Sequence, residues 1–188
     1  MIPKGRPNLL LEEALAYIPD TIDRKKYPVV LLGIRGYYMN TMGVKGKNDR
    51  GIYDDAAFWI TPSAYASFNF NTDPRAYRKG RGIKEGEKGM AVLNAGVWMY
   101  KAGLHKGYQA FRQADQVTVT RDGLDGNYED TGWFGINIHK GGIVTTSSAG
   151  CQTLPVAQWH AFKDMGYDQL KLYQQHEFPY VLVEQSNG

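Results

Sequence analysis

WFGINIH, residues 133–139, is the stretch whose reading decides the fold. Phe134, Ile136 and Ile138 fall on one side of an extended chain, and Gly135, Asn137 and His139 on the other. A period of two marks a strand with one face in a core. On either side lie further runs rich in branched and aromatic residues: 29–38, 52–60, 90–100, 117–120 and 180–184. Turn signals separate them, among them Thr72-Asp73-Pro74 and Arg121-Asp122-Gly123. Helical signals are few. Asn8 is placed to cap a helix over Leu9–Tyr17, with Glu12 and Glu13 in its first turns. Pro155 opens a helix running to about Lys163, Gly166 interrupts it, and Asp168–Gln175 forms a second piece. The expectation is a mainly β chain, β-rich α+β, mostly antiparallel, with a few short helices. No internal repeat or Pro/Gly/Ser-rich linker divides it, so residues 1–188 are read as a single domain.

Composition narrows the function classes. The chain has 188 residues, 43% hydrophobic and 13% aromatic, with 22 glycines. The net charge of +3 suits approach to an anionic polymer but is weak for a nucleic-acid protein, so none is expected as a partner. The densest basic cluster is Arg75, Arg78, Lys79, Arg81 and Lys84, in a polar Gly-rich loop. That loop lacks the strand-to-helix setting of a phosphate cradle. One cysteine excludes an internal disulfide. The opening MIPKGRPN has no apolar stretch of signal-peptide form, and 29–34 is too short to span a bilayer. Cytoplasmic synthesis without a signal peptide, and no membrane insertion, are therefore expected.

The chemistry-bearing segment follows directly. A strand ends in His139, Lys140 and Gly141 come next, and a Gly/Ser/Thr loop leads to Ser148-Ala149-Gly150-Cys151. A thiol is a weak nucleophile until it loses its proton, and a neighbouring imidazole can accept that proton. Small residues before the thiol admit backbone and substrate, and N–H groups near Gly150 and Cys151 can meet an oxyanion. Thiol and imidazole are expected to meet at the floor of an open groove. A lone cysteine is most often a buried hydrophobe, and a lone strand-end histidine a hydrogen-bonded residue; it is the pairing of the two motifs that favours catalysis.

This stretch resembles the catalytic signature of the L,D-transpeptidase family: a strand ending in His-x-Gly, a loop, then Ser-x-Gly-Cys. The match covers about residues 132–162. It implies a sandwich-like β fold, Cys151 as the acylated nucleophile and His139 as its base, with Ser148 and Gly150 shaping the loop and oxyanion site. It also implies peptidoglycan stem peptides as substrate, with no cofactor. The chain departs from the pattern at Lys140, at a shortened loop, and at Thr153, where the family commonly has Arg or Asn. Through 48–55 (NDRGIYDD) and 71–74 (NTDP) the chain also resembles small lysis-associated proteins of tailed phages and prophages. That implies an endolysin-like, bacteriolytic cysteine peptidase, acting in the cell wall or periplasm after release. The alternatives are an L,D-transpeptidase proper, another cysteine acyl-transfer enzyme such as an amidase, and a non-enzymatic phage or host interaction protein with a structural cysteine.

Around the pair, Asn137, Gly141, Thr153, His105 and Trp133 are candidate substrate contacts. Asn137 shares the strand face of His139, and equally satisfies backbone groups; His105, in the Gly-flanked segment 103–107, more often reads as a solvated loop residue. A zinc site from His105, His139 and Cys151 ranks low because no tight ligand pair supports it. Trp98, Tyr100 and Trp133 are either ring platforms or core. Asp54 and Asp55 are adjacent on a strand, face opposite ways, and are read as turn or salt-bridge residues rather than an acid/base pair.

Overall fold

Strand β1, Val30–Arg35, is buried at every position, which places it inside a sheet with both faces covered. The computed structural model describes residues 1–80 and 88–185; Arg81, Gly82, Lys84 and Gly86 lie outside the described residues. The strands that follow are β2 (Asp55–Ile60), β3 (Tyr65–Phe70), β4 (Ala91–Leu93), β5 (Gly96–His105), β6 (Tyr108–Gln113) and β7 (Val117–Arg121). Then come β8 (Tyr128–Gly132), β9 (Ile138–Lys140), β10 (Gln152–Leu154) and β11 (Glu177–Glu184). The helices are α1 (Leu11–Leu15) and α2 (Val156–Leu172). Mainly β is thus the fold class, at 36% strand and 12% helix. Among the described residues no helix is long and apolar enough to cross a membrane.

Eight strands form one sheet in the order β10-β9-β6-β5-β11-β1-β2-β3. The pairs β1/β11 and β9/β10 are parallel and the rest antiparallel. The two ends of this order meet. Asn71, one residue past β3, bridges Thr153 in β10, and each N–H donates to the other's carbonyl at 2.9 Å. The sheet therefore nearly closes on itself, which removes exposed edges. A three-stranded sheet, β4-β7-β8, sits beside it and turns Leu93, Val117 and Val119 into the same core.

That core is aromatic. Trp59 packs on Phe111, Phe162 and Phe178 with ring centroids 5.0–5.3 Å apart, near the distances at which edge and tilted ring pairs are favourable. Helix α2 contributes Trp159, Phe162 and Leu170. A smaller cluster on the other side of β1 and β2, including Leu32, Ile34 and Phe58, is covered by the α1 region through Ala14.

Several sequence expectations change for physical reasons. Strand 90–100 divides at Asn94–Ala95, so its halves join different sheets. Strands β3 and β8, not anticipated from the sequence, pair with β2 and β7. Helix α1 is one short turn beginning after Leu10, whose N–H is met by Glu13 Oε2 at 2.8 Å; Asn8 does not cap it. Helix α2 runs unbroken through Gly166. A Cβ there would stand 2.5 Å from both Phe111 Cζ and Trp59 Cζ2, so the glycine permits close packing rather than ending the helix. The last strand, expected over 180–184, begins at Glu177 and lies between β5 and β1.

Candidate active site

The segment 133–139 enters the ladder only at Ile138. Ahead of it the backbone is served by side chains. Gln113 Oε1 accepts the N–H groups of Phe134 and Ile136 at 3.3 and 3.1 Å, and the Tyr100 hydroxyl donates to Ile136 O at 2.7 Å. The alternation survives this loss of pairing, with Ile136 and Ile138 in the core. The opposite face is covered too: Asn137 and His139 are buried.

Strand register sets the pair. His139 lies beside Thr153 and Ile138 beside Gln152, and Gln152 N–H donates to Asn137 O, which puts Cys151 beside Asn137. The side chains of Asn137 and His139 share a face, where both meet His105. No hydrogen bond joins Cys151 and His139 among the described residues.

His139 is held neutral in one tautomer. Its Nδ1 lies 2.8 Å from Lys140 O, which can only accept, so Nδ1 carries the proton and Nε2 keeps its lone pair. Burial pushes the imidazole down to about 4, opposed by the Lys140 carbonyl and aided by His105 and Lys106. The Cys151 residue is half-buried, but its sulfur is deep enough that burial raises the thiol; the Asn137 N–H and the Lys106 ammonium oppose that rise. The thiol points at Gly135 O, 3.3 Å away. Both groups are therefore uncharged at neutral pH.

The loop before the thiol is stapled by Ser148. Its hydroxyl donates to Cys151 O at 2.6 Å and accepts Gly150 N–H at 3.0 Å. Gly150 N–H is therefore occupied, which corrects its expected part in an oxyanion site. Cys151 N–H meets no acceptor among the described residues. Gly150 itself has φ +153, and a Cβ there would meet Ala91 O at 2.7 Å.

Cys151 opens on a groove of about 230 Å³, with Gly135, Phe134, Gly150, Arg78 and Arg121 in its wall. His139 is not part of that wall. It lies under the β5–β6 hairpin, so thiol and imidazole do not share one open floor as expected. A larger polar cavity of about 560 Å³ takes Val92 and Thr120 rather than Ala91 and Arg121, and so lies on the opposite face of β4 and β7. It is remote from the thiol, and the smaller groove is the one with chemistry at its wall.

The other candidates divide. Asn137 Oδ1 accepts Gln113 N–H at 3.3 Å and its Nδ2 contacts His105 Nδ1 at 3.1 Å. His105 stacks on His139, with centroids 4.1 Å apart and planes 8° from parallel. It is half-buried in the site, not a solvated loop residue. Thr153 is fully buried, with its hydroxyl against Asn71 Nδ2 at the sheet closure, and is not a groove contact. Gly141 is packed where a Cβ would stand 2.0 Å from the Tyr53 hydroxyl, which likewise leaves no room for substrate. Trp133 is 61% exposed and lies outside the groove wall. Tyr100 is core. Asp54 and Asp55 are fully buried; Asp55 accepts the N–H groups of Gly36 and Thr72, each at 2.6 Å. Among the described residues no group of three or more His, Cys, Asp or Glu side chains is placed to hold a metal ion.

Sequence reading missed Lys106, Tyr108, Gln113, Arg78 and Arg121. The signal for the first two was present: Lys106-Gly107 joins two strands as a two-residue turn with φ of 47° and 87°, which folds His105 and Tyr108 back together. Compared with family models, curated proteins and solved structures, the chain matches none.

Proposed function

We propose that this protein is a cysteine peptidase acting on peptidoglycan stem peptides, with Cys151 as nucleophile and His139 as base. The observation that carries the reading is a thiol opening on a groove just ahead of the strand that pairs with the one carrying a buried, neutral imidazole of defined tautomer. Arg78 and Arg121 stand in the groove wall, Arg121 held there by Asp130 at 2.7 Å.

The Cys151 sulfur attacks the scissile carbonyl while its proton passes to His139 Nε2. The carbonyl oxygen becomes an oxyanion facing Cys151 N–H. The C–N bond breaks, the leaving amine takes the proton from His139, and a thioester remains. Water, deprotonated by His139, then releases the acid and the thiol. Lys140 O and the Asn137 N–H act at the moment of charge separation, one on the imidazolium and the other on the sulfur.

The test is incubation with purified sacculi and mass spectrometry of the released fragments. Stem-peptide cleavage is expected from the wild type, and none from Cys151→Ala or His139→Ala. Undiminished digestion by Cys151→Ala refutes the proposal. New cross-linked products in place of cleaved ones identify a transpeptidase. A thiol inert to iodoacetamide together with no released fragments identifies the non-enzymatic alternative.

A further inference from the structure

We propose that His105 is a positioning residue of the Cys151–His139 pair, holding the base by a ring stack that Asn137 locks in one tautomer. The inference rests on the cysteine–histidine reading above and adds a residue to it.

The lock begins in the core and works outward. Gln113 N–H needs an acceptor and finds Asn137 Oδ1 at 3.3 Å, which fixes the amide orientation. Asn137 Nδ2 then donates to His105 Nδ1 at 3.1 Å. His105 Nδ1 is an acceptor, so this ring carries its proton on Nε2 and is neutral. The ring lies nearly flat on His139, with planes only 8° apart. Its own position comes from the hairpin: His105 pairs with Tyr108 across the tight turn, and their rings meet edge to face at 5.7 Å.

The arrangement suits a base that charges transiently. The stacked ring covers one face of His139 and keeps it neutral at rest, so that the imidazolium forms only as the thiol loses its proton. A charged His105 would repel it, and the occupied Nδ1 lone pair, burial and Lys106 all hold His105 neutral. The stack also excludes water from one side of His139. The other groups facing the pair are Tyr108, whose hydroxyl is 3.4 Å from His139 Nδ1, Lys140 above the Tyr108 ring, and Cys151 itself. From α2, His160 and Lys163 approach Tyr108 and Lys140 rather than the stack.

The test uses p-nitrophenyl acetate, whose acyl group passes to Cys151 with release of nitrophenolate, followed across pH 3–9. His105→Ala is expected to slow acylation at pH 7 by about tenfold, a part of the roughly 10²–10⁴-fold that a positioned base supplies. It is also expected to move the acid limb of the profile upward, toward the ordinary imidazole value. His105→Phe keeps a flat ring over His139 and should retain the low acid limb and a rate within about threefold of wild type. An unchanged rate and limb in His105→Ala overturns the inference, as does an equal loss in His105→Phe. If His139→Ala acylates as fast as wild type, the cysteine–histidine pair itself fails. A silent His139→Ala beside an unaffected His105→Ala refutes the positioning role alone.

Discussion

The protonation of His139 links the site to the stability of the whole chain. Its imidazole is held at about 4 against an ordinary 6.5, a depression of about 2.5 units. At about 1.4 kcal/mol per unit this is about 3 kcal/mol of preference for the neutral ring in the folded state. The direction follows from the depressed value. The contribution is complete above pH 6.5 and is lost as pH falls through 4, because the unfolded chain takes the proton first. A domain of this size is stable by only about 5–15 kcal/mol, so the loss is measurable. The perturbation is His139→Gln, which removes the titration. Urea denaturation at pH 7, 5.5 and 4 reads the outcome. Between pH 7 and 4 the wild type should lose about 3 kcal/mol more than the variant. Imidazole NMR should place the His139 midpoint near 4. A midpoint near 6.5, with parallel stability curves for the two proteins, would refute the description of a buried neutral base.

Three further outcomes test other parts of the structure. Asp54 is pushed up to about 6, first by burial and then by Asp73 and Asp49. A raised carboxyl value favours the folded state below pH 4 and the benefit disappears as pH rises through 6. Asp54→Asn should therefore gain up to about 3 kcal/mol relative to wild type at pH 8 and nothing at pH 4, by urea denaturation; a constant difference at both pH values contradicts this. Gly166→Ala drives a methyl group into Phe111 and Trp59 and should cost about 1–3 kcal/mol or more, read from the urea midpoint. Ser148→Ala unpairs the buried Gly150 N–H and the Cys151 carbonyl together. It should cost about 1–3 kcal/mol and slow Cys151 acylation, while Ser148→Thr, which keeps the hydroxyl, should restore the rate.

The sequence alone determined the mainly β class, because a two-residue period and β-branched runs are local properties of the chain. It also singled out Cys151, His139 and Ser148, since the types and spacing of those residues are visible without a fold. It could not say that Ser148 takes up the Gly150 N–H, because that bond depends on how the loop turns. Nor could it see that β9 and β10 run parallel, which brings Cys151 beside Asn137 and one register step from His139. Parallel pairing joins segments through a long crossover and leaves no signal in either one. Gly166 reads as a helix breaker until Trp59 and Phe111, far away in the chain, explain it. His105 reads as a loop residue until the hairpin lays it on His139. Burial, register and stacking are relations between distant segments, so the tertiary structure alone decides them.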